Sequence, residues 1–190
     1  MTKGRMEAFS DGVLAIIITV MVLEMKAPHS DSLEALKPLV PVFISYVLSF
    51  VYIGIYWNNH HHMLQAAHKI SGTVLWANTH LLFWLSLVPF VTNWMGENNF
   101  TTIPVALYGV VLLMAGLAYY ILAHTLTRLH GKDSEFTSAI GSDRKGKVSL
   151  MMYVIGIGLC FLQPLLGFLV YLLVAIWWFI PDRRFEKKDN

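Results

Sequence analysis

Long apolar stretches separated by short polar segments run along almost the whole chain. A helix needs about 20 predominantly apolar residues to cross the hydrocarbon core of a bilayer. Six stretches approach this length, at about residues 5–25, 38–57, 70–94, 103–125, 147–162 and 165–180. The pattern therefore predicts an all-α integral membrane protein, with six transmembrane helices in a single domain over residues 1–190.

The last two apolar stretches are short, and Gln163-Pro164 lies between them with glycines nearby on either side. Proline removes a backbone donor and clashes with the preceding turn, so it kinks or ends a helix. From this pattern alone the segment is either a tight helical hairpin or a single kinked span.

The distribution of positive charge favours one of these arrangements. With six spans and a cytoplasmic N-terminus, all 14 Lys and Arg residues except Lys26 and Lys37 fall on the cytoplasmic side. This asymmetry is the one that the positive-inside rule requires, and it predicts that both termini are cytoplasmic. Five spans would leave the basic C-terminal segment outside, so six spans are favoured. The basic residues of that segment are Arg183, Arg184, Lys187 and Lys188.

Composition agrees with a lipid-solvated chain. Hydrophobic residues make up 56% and charged residues 14%, and the mean hydropathy is +0.56. Soluble domains carry roughly 25% charged residues, so a soluble enzyme and a disordered protein are excluded. A net charge of +2 gives no reason to expect a nucleic-acid partner. The single cysteine, Cys160, excludes an internal disulfide framework.

The apolar parts of spans two to six contain no Asp, Glu, Lys or Arg. Ionised groups inside a membrane cost at least about 2.5 kcal/mol and mark proton relays and coupled transport sites. Their absence argues against a pump or a proton-coupled transporter. A secondary transporter of a small ion or solute remains the alternative to a passive pore.

The first span is the exception, because it opens with Arg5, Phe9, Ser10 and Asp11. These residues are either a helix cap with a snorkelling arginine or partners for neighbouring helices. Further along, Ile16, Thr19 and Leu23 share one helical stripe with Val20 at its edge. A membrane threonine commonly bonds a carbonyl of its own helix, so packing and pore lining both remain open for this stripe.

A second polar group lies at the cytoplasmic end of span two, where His60, His61 and His62 are consecutive. Consecutive helical residues point about 100° apart, so these three side chains cannot close on one metal ion, and no structural metal is expected. We expect one histidine to point inward, towards Asn78 of span three and the Ser10-Asp11 pair of span one. The pattern does not decide between His60 and His61.

Three motifs together resemble the bacterial relatives of the lysosomal potassium channel family, transmembrane protein 175. They are Arg5-x-x-x-Phe9-Ser10-Asp11, Trp57-x-x-His60-His61, and Leu75-Trp76-x-Asn78 continuing to Leu87-x-Pro89-Phe90-x-Thr92. The resemblance covers spans one to three by motif and spans four to six by length and topology.

The resemblance implies a homotetramer in the cell membrane of a prokaryote, surrounded by lipid, with the first helix of each subunit lining a central pore. It implies that Ile16, Thr19 and Leu23, with Val20, line this pore. It also implies a structural network behind the pore helix. The members of this network are Arg5, Phe9, Ser10, Asp11, His60 or His61, and Asn78.

The implied activity is passive conduction of potassium, with modest selectivity over sodium and with no enzymatic step. Rings of Ile16 and Leu23 would form apolar constrictions, and Thr19 would contact a potassium ion transiently. No cofactor is expected beyond the permeant potassium ions themselves.

Overall fold

The computed structural model describes residues 2–131, 134, 136–137 and 143–179, and this part of the chain is helical without any strand. The basic residues predicted at the C-terminus (Arg183, Arg184, Lys187 and Lys188) and residue 180 at the end of the sixth predicted span lie outside the described residues. The helices are α1 (Lys3–Leu23), a 3-10 helix (Leu33–Leu39), α2 (Val40–Ala66), α3 (Gly72–Ser86), α4 (Val88–Glu97), α5 (Thr102–His130), α6 (Arg144–Cys160) and α7 (Pro164–Phe179).

Four helical segments of the described chain are long and apolar enough to cross a membrane. They are Lys3–Leu23, Leu33–Ala66, Gly72–Glu97 and Thr102–His130, and α7 is a shorter apolar helix. The third segment is α3 and α4 together, interrupted at Leu87 because Pro89 occupies the first turn of α4. The prediction of an all-α membrane protein is confirmed.

Helices α2 and α5 extend further than the hydropathy pattern predicts. Helix α2 continues past Trp57 to Ala66, and α5 continues to His130. Hydropathy detects only the part of a helix that contacts hydrocarbon, whereas the backbone bonds of the helix continue into polar sequence. The histidine run therefore lies within α2 rather than at its end.

Helices α6 and α7 form an antiparallel hairpin rather than one kinked span. The turn runs from Phe161 to Gln163, and α7 begins at Pro164, where the missing N–H is not needed. A Cβ atom on Gly167 would overlap Cys160 Sγ and would lie 2.7 Å from the carbonyl oxygen of Gly156. The glycine therefore permits the close approach of the two helices.

Buried hydroxyl groups tie α2 to the helices around it. Ser49 Oγ lies 2.6 Å from Thr92 Oγ1 and 3.0 Å from the Tyr108 hydroxyl. The Tyr52 hydroxyl donates to the carbonyl oxygen of Tyr171 at 2.6 Å. Helices in lipid gain little from the hydrophobic effect, so such interhelical hydrogen bonds contribute to holding the bundle together.

Helix α1 lies at the edge of this bundle, against α2, α3 and α4. Only 28% of its most apolar window is buried, compared with 50% for the α3–α4 segment and for α5. Much of the surface of α1 is therefore left uncovered by the rest of the subunit.

Candidate functional site

Helix α1 has a buried face and an exposed face along its whole length. The buried face consists of Met6, Ser10, Leu14, Ile17 and Met21. On the exposed side, Ile16 and Leu23 retain 62% and 78% of their accessible surface. Thr19 is also exposed, and Val20 is partly buried at the edge. The structure thus places the four residues of the predicted pore stripe on the surface of α1 that the subunit leaves uncovered.

The Thr19 hydroxyl donates to the carbonyl oxygen of Ile16 at 2.9 Å, within its own helix. A hydroxyl has one donor hydrogen and two acceptor lone pairs. Because the hydrogen points to the helix backbone, the lone pairs of Thr19 are available to a cation on the exposed side. The intrahelical bond and a role in contacting ions are therefore compatible.

Three buried polar side chains from α1, α2 and α3 form a continuous hydrogen-bonded chain. His60 Nε2 donates to Asn78 Oδ1 at 2.8 Å, and Asn78 Nδ2 donates to Ser10 Oγ at 2.9 Å. Ser10 Oγ in turn donates to the carbonyl oxygen of Met6 at 2.8 Å. His60 and Asn78 are each 2% exposed, and Ser10 is fully buried. Each of these three side chains therefore has a hydrogen-bond partner. A buried polar network stabilises a fold only when its members are paired in this way.

A second set of polar contacts joins α1 to α2 in antiparallel register. Trp57 Nε1 donates to Asp11 Oδ1 at 3.1 Å, and His61 Nδ1 lies 3.0 Å from Glu7 Oε1. One turn further on, Lys3 Nζ donates to the carbonyl oxygen of Gln65 at 3.1 Å. The partners recur every four residues on both helices, so they form a ladder on one face of each. We call these three contacts the α1–α2 ladder.

The two neighbouring histidines therefore have different roles. His60 belongs to the buried chain with Asn78, whereas His61 faces Glu7 in the ladder. Glu7, Lys3 and Gln65 were not among the predicted site residues. Lys3 and Glu7 precede Asp11 at intervals of four residues, and His61 and Gln65 follow Trp57 at the same interval. This shared spacing is the sequence signal that could have identified them.

Arg5 and Phe9 do not join either group of polar contacts. Arg5 is exposed, and among the described residues it has no hydrogen-bond or ion-pair partner. Phe9 retains 56% of its accessible surface. Within the subunit, the buried network thus contains Ser10, His60 and Asn78, and Asp11 bonds separately to Trp57.

A groove runs along the C-terminal half of α1, between this helix and α4. Its volume is about 520 Å³, and nothing in the described part of the chain fills it. At the end nearest the C-terminus of α1, Asn93 Nδ2 is 3.5 Å from Glu24 Oε2. The groove is lined mainly by apolar side chains, among them Ile16, Val20, Pro89 and Phe90.

The histidine run shows no metal geometry. Among the described residues, no three His, Cys, Asp or Glu side chains converge in a way that could hold a metal ion. His60 and His61 are occupied by Asn78 and Glu7. These contacts support the position of α1 against α2 and α3.

Comparison with known proteins gives a consistent result. Residues 5–89 match the sequence profile of the family described as endosomal/lysosomal potassium channel TMEM175. The chain is 52% identical over 192 residues to a protein of Chryseobacterium sp. strain P1-3 named as a potassium channel, with 100% of each chain covered. It is 30% identical to another protein so named, from Streptomyces collinus, over 93% of this chain and 91% of that one.

One solved structure is similar over nearly the whole chain. It is the crystal structure of a lysosomal potassium-selective channel TMEM175 homolog from Chamaesiphon minutus. The TM-score is 0.80 at 27% sequence identity, and the match covers 94% of this chain and 96% of that chain.

The fold and the site define an all-helical, multi-pass membrane protein in which the least buried of the four long apolar segments carries an uncharged exposed stripe. The chain belongs to the TMEM175 family of potassium channels. The members of this family are ion channels, so the protein is not an enzyme.

Proposed function

We propose that the chain is one subunit of a homotetrameric potassium channel in the cell membrane of a prokaryote, with both termini in the cytoplasm and α1 of each subunit lining the pore. The observation that carries this proposal is the exposed stripe of Ile16, Thr19 and Leu23 on the least buried span. Two relatives named as potassium channels, similar over nearly the full length, support the choice of ion.

Four copies of the stripe around one axis give a narrow path without charge. Rings of Ile16 and Leu23 close such a path by excluding water, and conduction requires that they widen. The Thr19 oxygen lies between these rings and replaces part of the hydration shell of a cation. Asp11 lies behind the inner mouth, bonded to Trp57, and its negative charge favours cations over anions there.

Selectivity in such a pore follows from the cost of removing water from the ion. Potassium is dehydrated more easily than sodium, so potassium passes more readily through an apolar constriction. A single ring of hydroxyl groups is a much weaker substitute for water than a cage of backbone carbonyl oxygens. We therefore expect potassium selectivity to be modest and conductance to be low.

Assembly by closed symmetry also accounts for the surface that a single subunit leaves open. In a ring of four subunits, one patch of each subunit contacts a different patch of its neighbour, and the same contact repeats around the axis. The groove beside α4 would be covered by an adjacent subunit in this arrangement, while the stripe of α1 would face the axis. The ladder and the buried Ser10–Asn78–His60 chain would hold each α1 at a fixed distance from the axis.

The test is an ion-flux measurement on the purified protein in liposomes. A potassium gradient should drive passive flux without any coupled ion, potassium flux should exceed sodium flux, and native mass spectrometry should give four subunits. Saturable counterflow that depends on a second gradient would contradict the channel and indicate a secondary transporter. A stable dimer or monomer that conducts would contradict the tetrameric pore.

A further inference from the structure

The exposed stripe of α1 does not stop at Ile16 but continues towards the N-terminus. Residues that follow one another at intervals of four and three lie on a single face of a helix. This spacing continues from Ile16 back to Arg5, near the start of the helix. At 3.6 residues per turn, the six residues with this spacing lie within an arc of about 80°. The full stripe is Arg5, Phe9, Gly12, Ile16, Thr19 and Leu23.

Phe9 is turned away from its own subunit. It retains 56% of its accessible surface, although the next residue, Ser10, is completely buried. The side chains that anchor this part of α1 lie on other faces of the helix and bond to α2 and α3. These side chains are Lys3, Glu7, Ser10 and Asp11. The anchors thus direct the Phe9 ring to the same side as Ile16.

No close contact within the subunit requires glycine at position 12. A Cβ atom built on it would meet no atom within 4 Å, and its φ is not positive. By contrast, a Cβ atom on Gly96 would lie 2.6 Å from Val42 Cα, where two helices approach closely. Glycine inside a helix is less favourable than alanine. Packing within the subunit therefore does not require glycine at this position, and its place on the exposed stripe is what distinguishes Gly12 from Gly54 and Gly158.

We propose that the conduction path extends to Phe9, whose four rings form its inner mouth, and that Gly12 leaves a wide chamber between these rings and the Ile16 constriction. The inference rests on the proposed function, because it needs α1 to face the pore. Arg5 lies one turn before Phe9 on the same stripe, so the Phe9 rings are the first uncharged level of the path. The chamber lets the ion keep its water until it reaches Ile16.

Alanine in place of glycine tests the chamber, with Gly54→Ala in α2 as the matched control. A Cβ atom at Gly54 also meets nothing within 4 Å. Both changes favour the helix, so neither should lower the melting temperature of the assembled protein. Gly12→Ala should reduce potassium flux at least about twofold, because four added methyl groups displace water that hydrates the ion before the Ile16 constriction, whereas Gly54→Ala should leave flux unchanged. Equal potassium flux in the two variants would contradict the proposed chamber.

Cysteine accessibility tests the mouth independently. Cys160 is the single native cysteine and is buried, so the wild type should not respond to a membrane-impermeant, cationic thiol reagent applied at the cytoplasmic face. The reagent should block potassium current in Phe9→Cys. In His124→Cys, on the exposed surface of α5, it should label the protein without blocking current. Labelling of Phe9→Cys without loss of current would contradict the placement of Phe9 at the inner mouth.

The two levels of the proposal fail in different ways. A wild-type protein that passes no potassium would contradict the proposed function. A conducting wild type in which Gly12→Ala and labelled Phe9→Cys both conduct normally would contradict only the extension of the path.

Discussion

His61 Nδ1 of α2 lies 3.0 Å from Glu7 Oε1 of α1, one helical turn away from the bond between Trp57 and Asp11. The contact is an ion pair when His61 is protonated and otherwise a hydrogen bond from the neutral ring to the carboxylate. Because the side chains of His61 and Glu7 are 37% and 24% exposed, we expect it to contribute at most about 1 kcal/mol. It is the middle contact of the ladder that joins α1 to α2.

Glu7→Gln should lower the melting temperature slightly, because a neutral amide is a weaker acceptor for His61 than a carboxylate. The matched control is Glu34→Gln, since Glu34 and Lys37 form an exposed pair at 2.7 Å that joins no two helices. Thermal melting in detergent compares the two variants. Equal melting temperatures in Glu7→Gln and the wild type would contradict a contribution of this contact to the position of α1.

The yield of folded protein should depend on the acceptor oxygen of Asp11 and not on its charge. Asp11→Asn keeps an acceptor for Trp57 Nε1, so the tetramer should form at a normal yield. Asp11→Ala removes the acceptor and should lower the yield of folded tetramer, as measured by size-exclusion chromatography. A stable Asp11→Ala tetramer with altered conductance would instead place Asp11 in the ion path.

Asn78→Leu should be strongly destabilising, because it leaves the His60 ring and the Ser10 hydroxyl buried without their partner. Each unsatisfied buried polar group costs about 1–3 kcal/mol. Asn58→Leu is the control, since Asn58 lies on α2 but is exposed. Chemical or thermal unfolding in detergent compares the two. If both variants lost the same stability, the buried chain would not hold α1 in place.

Gly96→Ala should destabilise the contact between α2 and α4. The added Cβ atom would lie 2.6 Å from Val42 Cα and 2.7 Å from Ser45 Oγ, so the helices must separate. Overpacking of this kind costs about 1–3 kcal/mol. Gly158→Ala, where a Cβ atom meets nothing within 4 Å, should leave the melting temperature unchanged or raise it. A Gly96→Ala variant as stable as Gly158→Ala would contradict the packing described for these helices.

The helical class and the stripe on α1 could be predicted from the sequence because they depend on local patterns. Apolar length identifies a membrane helix, and intervals of three and four place Ile16, Thr19 and Leu23 on one face. Both patterns are visible without knowing what the helix contacts.

The choice between His60 and His61 could not be predicted, because it depends on a distant residue. His60 is buried since Asn78, on another helix, accepts its hydrogen bond, whereas Glu7 is the partner of His61. The ends of α2 and α5 were also missed, because helical hydrogen bonding continues beyond the apolar sequence that hydropathy detects. In each case the missing information is a tertiary contact or a backbone bond that no side-chain pattern reports.

The permeability ratio of potassium to sodium in Thr19→Val tests the central claim most directly. Thr125→Val is the matched control, because Thr125 is partly exposed and its hydroxyl donates to the carbonyl oxygen of Ile121 in its own helix at 2.7 Å. If α1 lines the pore, reversal potentials under bi-ionic conditions should show an altered ratio for Thr19→Val and the wild-type ratio for Thr125→Val, with tetramers intact in both. An unchanged ratio in a conducting Thr19→Val tetramer would contradict the assignment of this stripe to the pore.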